Sequence, residues 1–151
     1  MIPTSVITTL TNIVGENNIL TTREALLPFS HDSTQQEFMP DAVVFPQDAN
    51  QISQILKLAN KKLFPVIPRG GGSGMSGGAL AVRGGLVLAM NRLNRILLID
   101  EHNLIAKAEP GVITLQLQEE VEKRGLFYPP DPVSLDAVSY THLTLPTTPY
   151  V

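Results

Sequence analysis

The residues with the most chemistry to offer lie in one stretch, Pro68-Arg69-Gly70-Gly71-Gly72-Ser73-Gly74-Met75-Ser76-Gly77-Gly78. Glycine takes positive φ without the steric penalty a Cβ brings. Successive glycines can therefore turn their N–H groups onto one point. Such a nest of amides binds anions, and the missing side chains let a bulky diphosphate reach the main chain. Ser73 and Ser76 can add hydroxyl donors. Arg69 brings a permanent positive charge, either at the mouth of the loop or paired with a structural carboxylate. A flexible surface loop could share this composition, but connections inside a compact domain are usually short, and a floppy linker seldom lies between two of its strands.

Two better-known phosphate patterns fit poorly. Gly72-Ser73-Gly74-Met75-Ser76-Gly77 has G-x-G-x-x-G spacing, with Asp100 downstream. In a dinucleotide-binding fold that spacing requires a helix to start at the glycines and aim its N-terminus at the pyrophosphate. Here Gly84-Gly85 intervenes and the run after it is strand-like, so a NAD domain of Rossmann type is a minor alternative. The Walker pattern fails, because no Gly-Lys-Ser/Thr follows.

The remaining chemical residues are sparser. There is no cysteine, which excludes a disulfide framework, a thiolate zinc site and a cysteine nucleophile. His31, His102 and His142 are far apart and none has metal-ligand spacing, so no metal site is expected. His31-Asp32 reads as a structural turn. His102 follows Asp100-Glu101 in a solvated turn between strands, and His142 has no assigned role. Glu119, Glu120 and Glu122 read as the wet face of a helix. Asn91, Arg92 and Arg95 are expected to pair with local acids or backbone. No residue reads as a catalytic base, so none is assigned.

The elements that must position the loop can be read from periodicity. Val6, Ile7, Leu10, Ile13 and Val14 recur on one helical face over residues 4–14, with Thr4 or Ser5 as cap and Gly15 as stop. Ala42 to Pro46 is a short apolar run and reads as a buried strand. Asp48 is an N-cap with Gln51 as its capping-box partner. Ile52, Ile55, Leu56 and Ala59 follow at helical spacing, and Lys61 and Lys62 suit the C-terminal end of the helix dipole. Phe64 to Ile67 reads as a second strand, so residues 42–67 form a strand–helix–strand unit, a βαβ if its strands are parallel. After the loop, strands are expected at 85–90, 95–99 and 104–109, then a turn at Pro110-Gly111. Thr114 would cap a helix to about Arg124 with Gly125 as its stop, and Leu126-Phe127-Tyr128 is a strand-like stub. The fold class is α/β (α+β).

Bulk properties agree. The 151 residues are 43% apolar and 17% charged, with net charge −3. That suffices for one packed domain and argues against nucleic acid, which calls for a basic face. No apolar run nears the ~18–20 residues of a membrane helix, and no signal peptide is evident. A cytoplasmic chain is expected. Residues 138–151 carry no Lys, Arg, Asp or Glu and no clear period. They are expected to be a non-native tail.

The loop and four other segments together resemble the FAD-binding domain of the vanillyl-alcohol oxidase and p-cresol methylhydroxylase type. The likeness is strongest to the FAD-linked 2-hydroxyacid dehydrogenases, namely the glycolate oxidase flavin subunit and the D-lactate dehydrogenases. The carrying segments are residues 40–46, 66–79, 91–96, 109–112 and 128–132, in order and at family-like spacing, and the likeness covers about residues 20–137. It implies an incomplete FAD-binding domain over residues 1–137, with Gly70 to Ser73 cradling the FAD pyrophosphate and Gly74, Met75, Ser76, Gly77 and Gly78 toward the flavin ring. It places Pro110 and Gly111 beside the cofactor, and Pro130, Asp131 and Ser134 near its flavin or adenine parts. Some members attach flavin through a histidine in this loop. Ser73 stands at that place here, which implies non-covalent FAD. Where the family continues into a second glycine-rich FAD loop, this chain reads Val138-Ser139-Tyr140-Thr141-His142. The resemblance implies oxidation of a 2-hydroxyacid such as glycolate, D-lactate or D-2-hydroxyglutarate. Electrons would pass to a quinone, a cytochrome or an iron–sulfur subunit, in a complex peripheral to the membrane. A non-catalytic nucleotide-binding module is the alternative, favoured if bound flavin is not reduced by any 2-hydroxyacid. With the rest of the domain missing, the chain alone is expected to be inactive and to hold FAD weakly.

Overall fold

The structure, a computed structural model, describes residues 1–130. Asp131, Ser134 and the tail at 138–151 lie outside the described residues.

The first helix, α1, spans Thr4–Val14 and buries Val6, Leu10 and Val14. The 3.6-residue period puts these on one stripe. Its N-cap is Pro3 rather than Thr4 or Ser5, with no side-chain cap. The hydroxyls of Thr8 and Thr9 bond back to the carbonyls of Thr4 and Ser5 instead. Gly15 ends the helix as expected, and its N–H donates to Thr11 O. A short strand β1 (Ile19–Leu20) and a single-turn helix α2 (Arg23–Leu26) follow.

The central strand–helix–strand unit is β2 (Ala42–Val44), α3 (Ala49–Lys62) and β3 (Val66–Arg69). Asp48 caps α3 by accepting the Gln51 N–H at 2.8 Å. Gln51 Oε1 reaches back to the Gln47 N–H at 2.9 Å, one residue earlier than the usual reciprocal bond. Ile55 and Ala59 face the core, whereas Leu56, one residue round the helix from Ile55, is exposed. Leu63 takes a left-handed conformation at the C-cap. The second strand starts two residues later than read from sequence and runs through Arg69. Phe64 is still occupied closing the helix, its N–H donating to Ala59 O, and Pro65 has no N–H to donate.

The next strand, β4 (Leu86–Ala89), enters between β2 and β3, giving the order β1-β2-β4-β3. Both β2 and β3 run parallel to β4, and β1 runs antiparallel to β2. The strand–helix–strand unit is thus parallel, but its two strands are not neighbours. Both faces of this sheet are covered. Ala42, Val44, Leu86 and Leu88 pack under α1 and α3 with Val6, Leu10 and Ile55. Val43, Phe45, Val87 and Ala89 pack on the other side with Leu26, Ala81, Phe29 and Ile67. The alternation is the two-residue period of a strand, and burial on both sides is why β2 and β4 read as continuous apolar runs.

β5 (Ile96–Asp100) and β6 (Ile105–Ala108) form a separate antiparallel hairpin. Its turn is held by the Asp100 carboxylate, which accepts from the N–H groups of His102 and Asn103, so His102 sits in a solvated turn. Helix α4 (Thr114–Glu122) is preceded by Ile113 at the N-cap, while Thr114 is its buried first residue rather than the cap. Gly125 follows at φ +71°. Leu126 to Tyr128 is not a strand. The prolines at 129 and 130 cannot donate to a ladder.

Candidate functional site: the glycine loop

Residues 70–85 connect β3 to β4 without a helix. These strands are parallel neighbours, so the chain must travel from the C-terminal end of one to the start of the other. The glycine stretch leaves the sheet at the C-terminal end of β3. In open sheets with parallel strands, that edge is where ligands bind. The absence of a helix after the glycines removes the structural condition for a Rossmann site.

The glycines divide by what each one meets. Gly72 and Gly77 have φ of +73° and +74°, a region that costs a residue with a Cβ about 1 kcal/mol or more. A Cβ on Gly72 would also strike the Arg69 guanidinium. Gly74 and Gly78 are different. Neither has positive φ, and a Cβ on either would meet nothing within 4 Å. The fold itself does not require glycine there, and the open space beside them fits a ligand approaching the main chain. Met75 and Ser76 between them are exposed, and Gly70 and Ser73 are half-buried.

Arg69 does not stand at the mouth of the loop. It is buried, 7% exposed, and its charge faces inward. Nη2 donates to His31 O at 2.9 Å and to Pro28 O at 3.3 Å, and Nη1 donates to Ala79 O at 3.4 Å. The guanidinium also lies over the Phe29 ring at 5.8 Å. Burial lowers its hold on the proton, and the opposite charge of Asp32 offsets part of that effect.

Asp32, which sequence reasoning assigned only to a turn, is buried at 7% exposure. The turn is real: Oδ1 accepts from the Thr34 N–H at 2.8 Å and the Thr34 hydroxyl at 2.6 Å. Burial pushes its carboxyl up. The Thr34 hydroxyl and N–H, then Arg69 and the Gly77 N–H, outweigh that and hold it below the ordinary carboxylate value. Oδ2 is buried and, among the described residues, has no partner at hydrogen-bond distance. Next to it, the Ser33 N–H donates to Gly74 O at 3.3 Å and the Ser33 hydroxyl to Ser73 O at 3.1 Å. The segment 28–34 is therefore laced to the loop some forty residues downstream. No local sequence signal reports such a contact.

Of the other expected positions, Pro110-Gly111 turns as read and reaches the same edge of the sheet. The Gly111 N–H donates to Leu93 O at 2.7 Å, and a Cβ there would collide with Met90 O. The Met90 N–H in turn donates to Arg69 O at 2.9 Å. Pro130 is held against α4, its carbonyl accepting from Gln118 Nε2 at 2.8 Å. Two basic residues outside the loop are engaged away from it, Arg95 by an acid as expected and Arg92 not by a local acid or backbone but by a side chain distant in sequence. Arg95 forms an ion pair with Glu109 at 2.6 Å, and Arg92 bonds Asn18 and lies over the Phe45 ring at 4.9 Å. Among the described residues, no group of three or more His, Asp or Glu is placed to hold a metal, and no helix is long and apolar enough to cross a membrane.

Residues 40–140 match the family described as FAD binding domain. The chain belongs to that family. Its cofactor is FAD. The chain is 44% identical over 127 residues to the glycolate oxidase subunit GlcD of Bacillus subtilis, covering 83% of this chain and 27% of that protein. It is 31% identical over 121 residues to D-lactate dehydrogenase of Anaerostipes hadrus, covering 79% of this chain and 26% of the other. The crystal structure of p-cresol methylhydroxylase with substrate bound superimposes with TM-score 0.72 at 23% identity, over 82% of this chain and 25% of that one, and shows the shared fold. This chain thus spans about a quarter of the length of the curated relatives it matches.

Proposed function

We propose that the chain is the N-terminal part of the FAD-binding domain of an oxidoreductase that converts a 2-hydroxyacid of the glycolate or D-lactate kind to its 2-oxoacid. The observation carrying this is the glycine loop at the C-terminal edge of the parallel strands, with Gly74 and Gly78 open, a Cβ on either meeting no atom of the described residues within 4 Å. In this reading the main-chain N–H groups from Gly70 to Ser73 hold the pyrophosphate, with Arg69 setting the loop from below. Gly74 to Gly78 border the flavin side, and Pro110-Gly111 closes the edge beside it. Pro130, Asp131 and Ser134 complete the contacts. FAD is bound non-covalently, because Ser73 offers no nucleophile of the histidine kind. When bound, FAD supplies the two-electron acceptor for hydride leaving the hydroxyacid Cα. The groups that bind the substrate carboxylate and take the hydroxyl proton belong to chain beyond these residues. The relatives named as glycolate oxidase subunit and D-lactate dehydrogenase support the substrate class. An electron-transfer subunit and a cytoplasmic location, peripheral to a membrane complex, go with the same reading.

The test is fluorescence titration of FAD with the purified chain and with Gly78→Ala. Weak, saturable quenching that Gly78→Ala reduces is expected. No quenching at any protein concentration would remove the loop as a flavin site. Reduction of bound flavin by glycolate or D-lactate in the longer protein tests the substrate class, and flavin inert to every 2-hydroxyacid would favour a binding module.

A further inference from the structure

The segment beneath the loop carries an inference that rests on the FAD reading and goes past it. Arg69 has its guanidinium in contact with three carbonyl oxygens, those of Pro28, His31 and Ala79. It lies against Gly72 on the loop's inner side. Asp32 sits in the same buried layer, with one oxygen bound to Thr34. Ser33 adds two bonds to the loop carbonyls of Ser73 and Gly74. A cation committed in this way is not free to meet a ligand's phosphates. A planar fork reaching several carbonyls is also something an ammonium cannot reproduce.

We infer that Asp32, Ser33 and Arg69 are positioning residues that hold the glycine loop in its anion-binding shape from beneath, the anion itself being met by main-chain N–H groups.

The inference makes signed predictions that simple electrostatics reverses. If Arg69 acted as the counter-charge of the pyrophosphate, Arg69→Lys would keep the affinity. If Asp32 acted only as a nearby negative charge, Asp32→Asn would tighten anion binding. A positioning unit predicts that both substitutions weaken it.

The experiment is a titration of the ¹⁵N-labelled 151-residue chain with ADP, the pyrophosphate-bearing half of FAD, followed by the amide signals of Gly70 to Gly78. This readout tolerates millimolar affinity. Unmoved loop amides in the parent chain would sink the FAD reading itself, before any variant is made. With the parent responding, Arg69→Lys and Asp32→Asn are each expected to weaken ADP binding about tenfold, with the double variant no worse than the poorer single because the two act as one unit. Dispersed amide signals of Val43 and Val87 confirm that a variant is folded. Parental affinity in Arg69→Lys, or tighter binding in Asp32→Asn, would overturn the inference. Should either charge variant unfold, Ser33→Ala at its exposed position decides. Weaker ADP binding with an unchanged core supports the inference, and unchanged binding overturns it.

Discussion

Gly74 and Gly78 differ from Gly72 in what keeps them glycine, and the difference can be measured. Gly72 is constrained by its own φ and by Arg69, so Gly72→Ala should lower stability by about 1 kcal/mol or more. At Gly78 the space is open, so Gly78→Ala should leave the urea midpoint within about 0.5 kcal/mol of the parent while weakening FAD binding. Equal loss of stability in both would show that the loop glycines serve the fold alone. Asp32 gives a pH signature. Its carboxyl is held below the ordinary value of 3.8 by Thr34 and Arg69 against the opposing effect of burial. A carboxyl depressed in the folded state adds stability that is present above the unfolded pKa and lost as pH falls through the folded one. The urea midpoint should therefore fall below about pH 4, and less steeply in Asp32→Asn than in the parent. Parallel pH curves would remove Asp32 as a contributor. His102 and Arg95 were legible at this scale, because an Asp-Glu-His turn and a nearby glutamate satisfy them locally. The inward turn of Arg69 was not, because its partners Pro28 and His31 are distant in sequence.

At the scale of elements, local signals decide the structure where they are self-contained. The stripe Val6-Leu10-Val14 and the Asp48–Gln51 cap set α1 and α3 with little help from elsewhere. Asp48→Ala should cost about 1 kcal/mol in urea unfolding by removing the bond to the Gln51 N–H, and a change below about 0.3 kcal/mol would mean the cap is idle. Sequence and structure differ at boundaries, where neighbouring segments compete for one residue. Phe64 suits a strand by its sequence, but its N–H closes α3. Thr114 suits an N-cap by its residue type, but it is buried at the first helical position. The Pro110-Gly111 turn was legible as a turn, though not its contact. Gly111→Ala would push a methyl into the Met90 carbonyl, at an expected cost of about 1–3 kcal/mol. A thermal midpoint equal to the parent's would show that the turn can move away.

For the whole molecule, the two sheets contrast. The four-stranded sheet is covered on both faces, whereas the β5–β6 hairpin exposes Leu97, Leu98 and Ile105, each about half accessible. Two-stranded hairpins are marginal without a covering layer, and large apolar side chains exposed on one are an aggregation risk. The chain is therefore expected to bind an environment-sensitive apolar dye under native conditions and to lose much of that signal in Leu98→Lys/Ile105→Lys. No dye binding by the parent would show the hairpin to be covered. The sequence alone determined the α/β class, the helical stripes, the strand–helix–strand unit and the glycine-rich connection that follows it. Periodicity and glycine content act over a few residues and need no partner. Only the tertiary structure decided that β4 slips between β2 and β3, that Arg69 faces inward, and that residues 28–34 lie beneath a loop forty residues away. Those outcomes depend on which distant surfaces bury each other, a choice made by packing across the whole chain.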